Sequence, residues 1–160
     1  MKKAIQLLIL AGAFVRACSQ EVTPVKMAAL EQYIHSAGHP VIINFFSTTC
    51  SPCLREMPYL QDSVGIYASG KVELLLVSLD PAASYPHRLI LFAAGLKLKV
   101  PILWLDEPDK AKLYAGIDKG WSGGIPASLF INNPTGYRRF FDRQITQPQV
   151  GMYIRELLGK

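Results

Sequence analysis

Val41-Ile42-Ile43-Asn44-Phe45-Phe46-Ser47-Thr48-Thr49-Cys50-Ser51-Pro52-Cys53 is the stretch on which the fold turns. Its first six residues, apolar except for Asn44, read as a strand buried on both faces. Beyond Cys50 the period changes, and Leu54, Met57, Leu60 and Val64 recur on one side of a helix. The two cysteines therefore stand where a buried strand gives way to a helix. The free N–H groups and the positive dipole end of a helix stabilise a thiolate in its first turn. Lowering a thiol pKa from ~8.5 toward neutrality makes it an attacking group. Pro52 suits that turn, where its missing N–H costs little. Two intervening residues let the second sulfur reach back to the first, so Cys50 is read as the exposed nucleophile and Cys53 as the buried resolving thiol of a redox disulfide. A zinc ribbon needs a second pair of ligands, and the chain has no second CxxC. A haem attachment motif needs His after the second cysteine, where Leu54 stands. An inert structural disulfide stays open.

Outward from this junction the chain alternates between helix-period and strand-like segments. Residues 25–37 show Met27, Leu30, Tyr33 and Ile34 at helical spacing, with Gly38 as the expected cap. Pro58 lies inside the helix after the cysteines and predicts a kink. Residues 72–78 read as a strand, 86–97 as a helix, 102–105 as a short strand and 109–115 as a short helix. Two strands, 127–132 and 137–141, flank Asn133-Pro134-Thr135-Gly136, a hairpin signal. A helix over 147–158 closes the chain. This alternation predicts one α/β domain with a central mixed sheet of four to five strands and helices on both faces. The central order should be 72–78, 41–46, 127–132, 137–142, the last antiparallel to its neighbour.

Composition agrees with a single domain. The chain has 160 residues, half of them apolar and 18% charged, which excludes a disordered tail and a highly charged coiled coil. No run approaches the ~18 apolar residues of a membrane span, which excludes a polytopic membrane protein. The net charge of +5 is concentrated at the N-terminus: beyond residue 17 the balance is 14 basic against 12 acidic residues, or +2. Arg138, Arg139 and Arg143 form the longest remaining basic cluster, too small for a phosphate-tracking surface, so no nucleic-acid partner is expected.

Lys2 and Lys3 precede twelve uncharged residues, 4–15, and a small residue before Cys18. A basic start and an apolar core of this length describe a secretory signal. Val15-Arg16-Ala17-Cys18 resembles a bacterial lipoprotein signal, although Arg16 departs from its pattern. The expected organisation is a signal at 1–17, a lipidated Cys18 with a short tether over 18–24, and a domain over 25–160. An exported chain meets oxidising conditions, in which a cysteine pair can cycle.

The strand leading into Cys50-Ser51-Pro52-Cys53, followed by Leu54-Arg55-Glu56-Met57-Pro58, resembles the TlpA/ResA-type branch of the thioredoxin-like thiol-disulfide oxidoreductases. Gly124-Ile125-Pro126-Ala127-Ser128-Leu129-Phe130-Ile131 is similar to that branch's second signature, and the likeness covers roughly residues 25–160. The resemblance implies a thioredoxin-like fold and a protein-disulfide reductase that needs no metal or organic cofactor. It implies a cis bond between Ile125 and Pro126, where a partner chain pairs, and a role for Glu56 in tuning thiol ionisation. Thr49 replaces the usual Trp before the first cysteine, so the partner-binding surface at Thr49, Ile125 and Pro126 is expected to differ. Asn44 stands where plain thioredoxin carries a buried Asp, which leaves Glu56 as the proton handler. The implied partners are disulfide-containing exported proteins, apocytochromes c among them, and a membrane thiol electron donor. The implied location is the periplasmic side of the cell envelope, as a lipid-anchored monomer.

Two rivals remain. A thiol peroxidase of the same fold would need a peroxide-stabilising Thr and Arg around Cys50, for which Thr48 and Thr49 are the candidate hydroxyls. A thioredoxin-like binding module with a static disulfide would need no exchange at all. His35 and His39 read as capping or solvated groups and His87 as no copper ligand, Trp121 as packing or a wall of the partner groove, and Leu79-Asp80 as a turn.

Overall fold

The computed structural model describes residues 21–160. Strand β1 (Val22–Val25) and helix α1 (Met27–Ser36) come first, followed by β2 (Val41–Phe46), α2 (Ser51–Ala68), β3 (Glu73–Ser78), α3 (His87–Gly95) and β4 (Ile102–Leu105). After them come α4 (Lys110–Ile117), β5 (Ala127–Asn132), β6 (Tyr137–Phe141) and α5 (Gln147–Leu157). The expected signal and Cys18 lie outside the described residues. Among the described residues no helix is long and apolar enough to cross a membrane.

The strands form one sheet in the order β1-β4-β3-β2-β5-β6. Its middle is the predicted one: β2 pairs in parallel with β3 and antiparallel with β5, and β6 runs antiparallel to β5. Every residue of β2 and of β5 is buried, as continuous apolar strands at the centre of a two-faced sheet should be. The sheet has six strands rather than four to five. The extra edge strand is β1, in the stretch expected as tether, which pairs in parallel with β4 from Val22↔Ile102 to Val25↔Leu105. Four residues including Pro24 carry too little alternation to announce a strand, and an edge is where a sheet tolerates proline.

Two apolar layers flank the sheet. Ile42 and Phe46 of β2 point into the layer that takes Cys53, Met57 and Leu60 of α2, Leu89 and Ala93 of α3, and Val150 and Ile154 of α5. Val41, Ile43 and Phe45 point the other way, against Leu30 and Ile34 of α1 and Leu113 and Ile117 of α4. The period-2 alternation of β2 therefore divides the whole core. The helix α2 runs through Pro58 without interruption and ends at Ala68, with Ser69 and Gly70 in left-handed conformation. At the end of α1 the cap is Ala37 rather than Gly38, its N–H donating to the Tyr33 carbonyl at 2.9 Å.

The Asn133-Pro134-Thr135-Gly136 turn forms as expected, through one tight turn over Asn133–Thr135 with Gly136 at φ 71°. Asn133 Nδ2 also donates to the carbonyls of Ile34 at 2.9 Å and Ala37 at 3.0 Å, which ties the hairpin to the end of α1. The helix α3 is shorter than predicted, preceded by a 3-10 turn over Ala82–Ser84 and by a cis Tyr85–Pro86 bond.

Candidate active site

Cys50 is the N-cap of α2, and Cys50 and Cys53 are joined in a disulfide with an S–S distance of 2.07 Å and a Cα–Cα distance of 5.3 Å. The Cys53 N–H donates to Cys50 Sγ at 3.2 Å, so the sulfur takes the place that a Ser or Asp oxygen holds at an ordinary helix start. In the dithiol state the same N–H and the helix dipole favour charge on Cys50. Cys53 is fully buried and Cys50 is partly exposed, so Cys50 is the sulfur more open to a second molecule. Ser47 helps to fix the approach, its carbonyl accepting the Cys50 N–H at 3.0 Å.

The Ile125–Pro126 bond is cis. Pro126 is buried, while Ile125 is partly exposed and packs against the same apolar layer as Cys50. The turn before them is held by Trp121, whose Nε1 donates to the Gly124 carbonyl at 2.8 Å. Trp121 is only 4% exposed and packs on Phe45, Tyr114 and Phe140 with ring centroids 4.9, 4.7 and 5.3 Å away. It therefore positions the backbone before Pro126 and does not wall the groove. Gly123 has φ 97°, and a Cβ there would fall 2.5 Å from the Tyr114 ring, so this turn admits no side chain at that point. Thr49 is exposed, with Oγ1 3.0 Å from Ser47 Oγ.

Glu56 lies three residues beyond Cys53 on α2 and is fully buried. Neither carboxyl oxygen makes a hydrogen bond among the described residues. Burial pushes its pKa up to about 7, and the Ile145 backbone offsets only part of that penalty. Asn44 is also fully buried, on the side of β2 that faces α2. Its Nδ2 donates to Ser128 Oγ at 2.9 Å, while its Oδ1 has no partner among the described residues. Asn44 cannot ionise, so Glu56 is the titratable group buried on the cysteine-bearing helix.

Asp80 was legible only as a turn residue. It is in fact buried, and hydrogen-bond donors from Ser47, Thr48 and Ser78 converge on its carboxylate. A polar residue just past a hydrophobic strand gives no sign of which loop it will face. Among the described residues the histidines make none of these hydrogen bonds. His39 pairs with Glu73 at 2.6 Å at the start of β3, the end remote from the cysteines, and His35 and His87 are exposed. Among the described residues no group of three or more His, Cys, Asp or Glu is placed to hold a metal ion.

The model of the AhpC/TSA family matches residues 11–136. Curated relatives include the thiol-disulfide oxidoreductase ResA of Geobacillus thermodenitrificans, 26% identical over 120 residues, which are 75% of this chain and 64% of the relative. The sporulation thiol-disulfide oxidoreductase A of Bacillus subtilis is 27% identical over 99 residues, 62% of this chain and 56% of the relative. The chain thus spans less than two thirds of the length of either relative. Among solved structures, StoA from Bacillus subtilis superimposes with a TM-score of 0.53 at 26% identity, over 72% of this chain and 82% of that one. A thioredoxin-related protein from Neisseria meningitidis serogroup B reaches 0.65 at 18% identity, over 77% and 87%. The fold is thioredoxin-like, and the likeness to the ResA type drawn from the motifs holds.

The buried carboxyl sets a pH dependence of stability. In the folded chain Glu56 keeps its proton to about pH 7, against 4.5 for the free side chain. Between those values the folded state binds more protons than the unfolded one, so stability falls as pH rises through the window, by a total of about 3 kcal/mol. Denaturant unfolding of the oxidised protein at pH 4, 6 and 8, beside Glu56→Gln, is expected to show that loss in the parent and its absence in the variant. Parallel curves for the two proteins would contradict a buried, proton-retaining Glu56.

Proposed function

The chain belongs to the AhpC/TSA family, and from that premise we propose that it is an exported, membrane-tethered thiol-disulfide oxidoreductase that reduces disulfides in extracytoplasmic proteins. The observation that carries this reading is the Cys50–Cys53 disulfide, placed across the first turn of α2 with one sulfur reachable and the other buried.

In the reduced protein the Cys50 thiolate attacks one sulfur of a substrate disulfide. The Cys50–substrate bond forms as the substrate S–S bond breaks, and the first substrate sulfur leaves as a thiolate. Cys53 then loses its proton and attacks Cys50 Sγ, releasing the second substrate thiolate and closing the Cys50–Cys53 bond. Two electrons have passed to the substrate. Cys53 is fully buried, so a buried group close along the same helix is the natural acceptor of its proton. Glu56, one helical turn along and with a pKa near neutrality, fills that role. The backbone before Pro126 and the exposed Thr49 form the surface against which the substrate chain lies. No metal or organic cofactor takes part, and a membrane thiol donor returns the dithiol.

The peroxidase alternative wants a free hydroxyl beside the attacking sulfur. The Thr48 hydroxyl instead donates to Asp80 at 2.7 Å, and Thr49 Oγ1 lies 3.0 Å from Ser47 Oγ, which favours dithiol exchange. The substrates are disulfide-containing exported proteins, with apocytochromes c as the candidate class, and the protein acts as a monomer on the periplasmic side of the cell envelope. Support for export comes from the apolar stretch 4–15 and Cys18, whose lipidation would supply the tether. The mass of the mature N-terminus checks this: a diacylated Cys18 is expected, and an unmodified residue there would remove the anchor.

Trapping separates the two sulfurs. Reduced Cys53→Ala is expected to accumulate a Cys50-linked mixed disulfide with an unfolded, disulfide-bonded model protein on a non-reducing gel, while Cys50→Ala forms none. Equal trapping by both variants would contradict the assignment of roles.

A further inference from the structure

Asp80 stands where the ladder between β2 and β3 runs out. The register ends at Phe46↔Ser78, and the last backbone bond is the Leu79 N–H donating to the Phe46 carbonyl at 2.8 Å. Beyond that point the β2 chain turns toward Cys50 through Ser47, Thr48 and Thr49, and among the described residues no backbone–backbone hydrogen bond joins that turn to the β3 side. The Asp80 carboxylate bridges the gap. Oδ2 accepts the Thr48 N–H at 2.9 Å and the Ser78 hydroxyl at 2.8 Å. Oδ1 accepts the Thr48 hydroxyl at 2.7 Å, the Ser47 hydroxyl at 3.0 Å and a longer branch of the Thr48 N–H at 3.2 Å.

Asp80 is itself anchored. Its N–H donates to Ser78 Oγ at 3.1 Å, its carbonyl accepts Trp104 Nε1 from β4 at 2.9 Å, and the Lys110 ammonium at the start of α4 donates to the Leu79 carbonyl. Side chains from the 102–110 segment thus hold the backbone whose carboxylate holds the cysteine loop. The link ends at the attacking residue, because the Ser47 carbonyl accepts the Cys50 N–H at 3.0 Å.

We propose that Asp80 is a positioning residue for disulfide exchange: by its hydrogen bonds to Ser47 and Thr48 it fixes the loop that presents Cys50. The inference rests on Cys50 being the attacking sulfur. Attack on a disulfide requires alignment of three sulfurs, and a displacement of about 1 Å can cost up to about a hundredfold in rate. Without the carboxylate the Thr48 N–H and two loop hydroxyls lose their buried acceptor, and the loop is free to leave this arrangement.

The chemistry of the donors makes a rescue available. Three of the four groups facing Asp80 are hydroxyls, which rotate and can accept as well as donate. Asparagine can keep the Thr48 N–H on its amide oxygen and give its NH2 to the hydroxyls. Asp80→Ala keeps nothing. The test compares parent, Asp80→Ala, Asp80→Asn and the double variant Ser47→Ala/Thr48→Val in the full chain. It reads disulfide reduction in a model protein, iodoacetamide alkylation of reduced Cys50 against pH, and amide exchange of residue 48.

Asp80→Ala is expected to slow disulfide reduction at least about tenfold and to speed amide exchange at Thr48 by a similar factor, with Asp80→Asn returning both to within about threefold of the parent. The double variant is expected to lose rate in the same direction but less, since the Thr48 backbone bond survives. A folded Asp80→Ala within about twofold of the parent in exchange and alkylation would overturn the proposal, as would an Asp80→Asn as impaired as Asp80→Ala. Should Asp80→Ala fail to fold, the double variant decides, and an unchanged rate there overturns it. Alkylation and amide exchange need no disulfide substrate. A parent that reduces no disulfides would therefore remove the functional reading, while the loop measurement would still report on Asp80.

Discussion

The bond between the Cys53 N–H and Cys50 Sγ, 3.2 Å at the start of α2, is the contact on which the rest of the structure depends. It places a sulfur at the positive end of an eighteen-residue helix, where a thiolate gains from both a hydrogen bond and the dipole. Such a bond has value only if the helix start is fixed relative to the sheet. That is achieved by burying β2 on both faces between β3 and β5, and by packing Cys53, Met57 and Leu60 against Ile42 and Phe46. The core is thus organised so that one residue, Cys50, emerges at its rim while its partner sulfur remains inside.

Asn44 and Glu56 are buried polar side chains in the layer between sheet and helix, each at a cost in desolvation. Asn44 satisfies only its amide nitrogen, and Glu56 satisfies neither oxygen among the described residues. Burying a carboxyl is unfavourable, and the Ile145 backbone offsets only part of that cost for Glu56. Burial on the cysteine-bearing helix raises its pKa to about 7, the range that the proposed proton acceptor needs. Trp121 and Gly123 serve the opposite wall by shaping the approach to Pro126.

What the sequence made legible follows from the range of each signal. The central strands, the cysteine junction and the Asn133–Gly136 turn depend on local pattern, and they appear where the pattern places them. Strand β1 was hidden because four edge residues with one proline carry no periodicity, and its existence depends on β4, eighty residues away in the chain. Asp80 was hidden for a related reason. Its neighbours Ser47 and Thr48 lie more than thirty residues earlier, and only the parallel pairing of β2 with β3 brings them together. Trp121 was legible as an aromatic near the turn, but whether it faced the groove or the core depended on Phe45, Tyr114 and Phe140.

The central claim is that Cys50 and Cys53 form a reversible dithiol couple poised to reduce other disulfides. A redox titration of the protein against glutathione or dithiothreitol buffers, read by thiol labelling of both cysteines, tests it most directly. A two-electron couple near or below thioredoxin's ~−270 mV is the predicted result. A value near the ~−120 mV of DsbA, or no reversible couple at all, would contradict it.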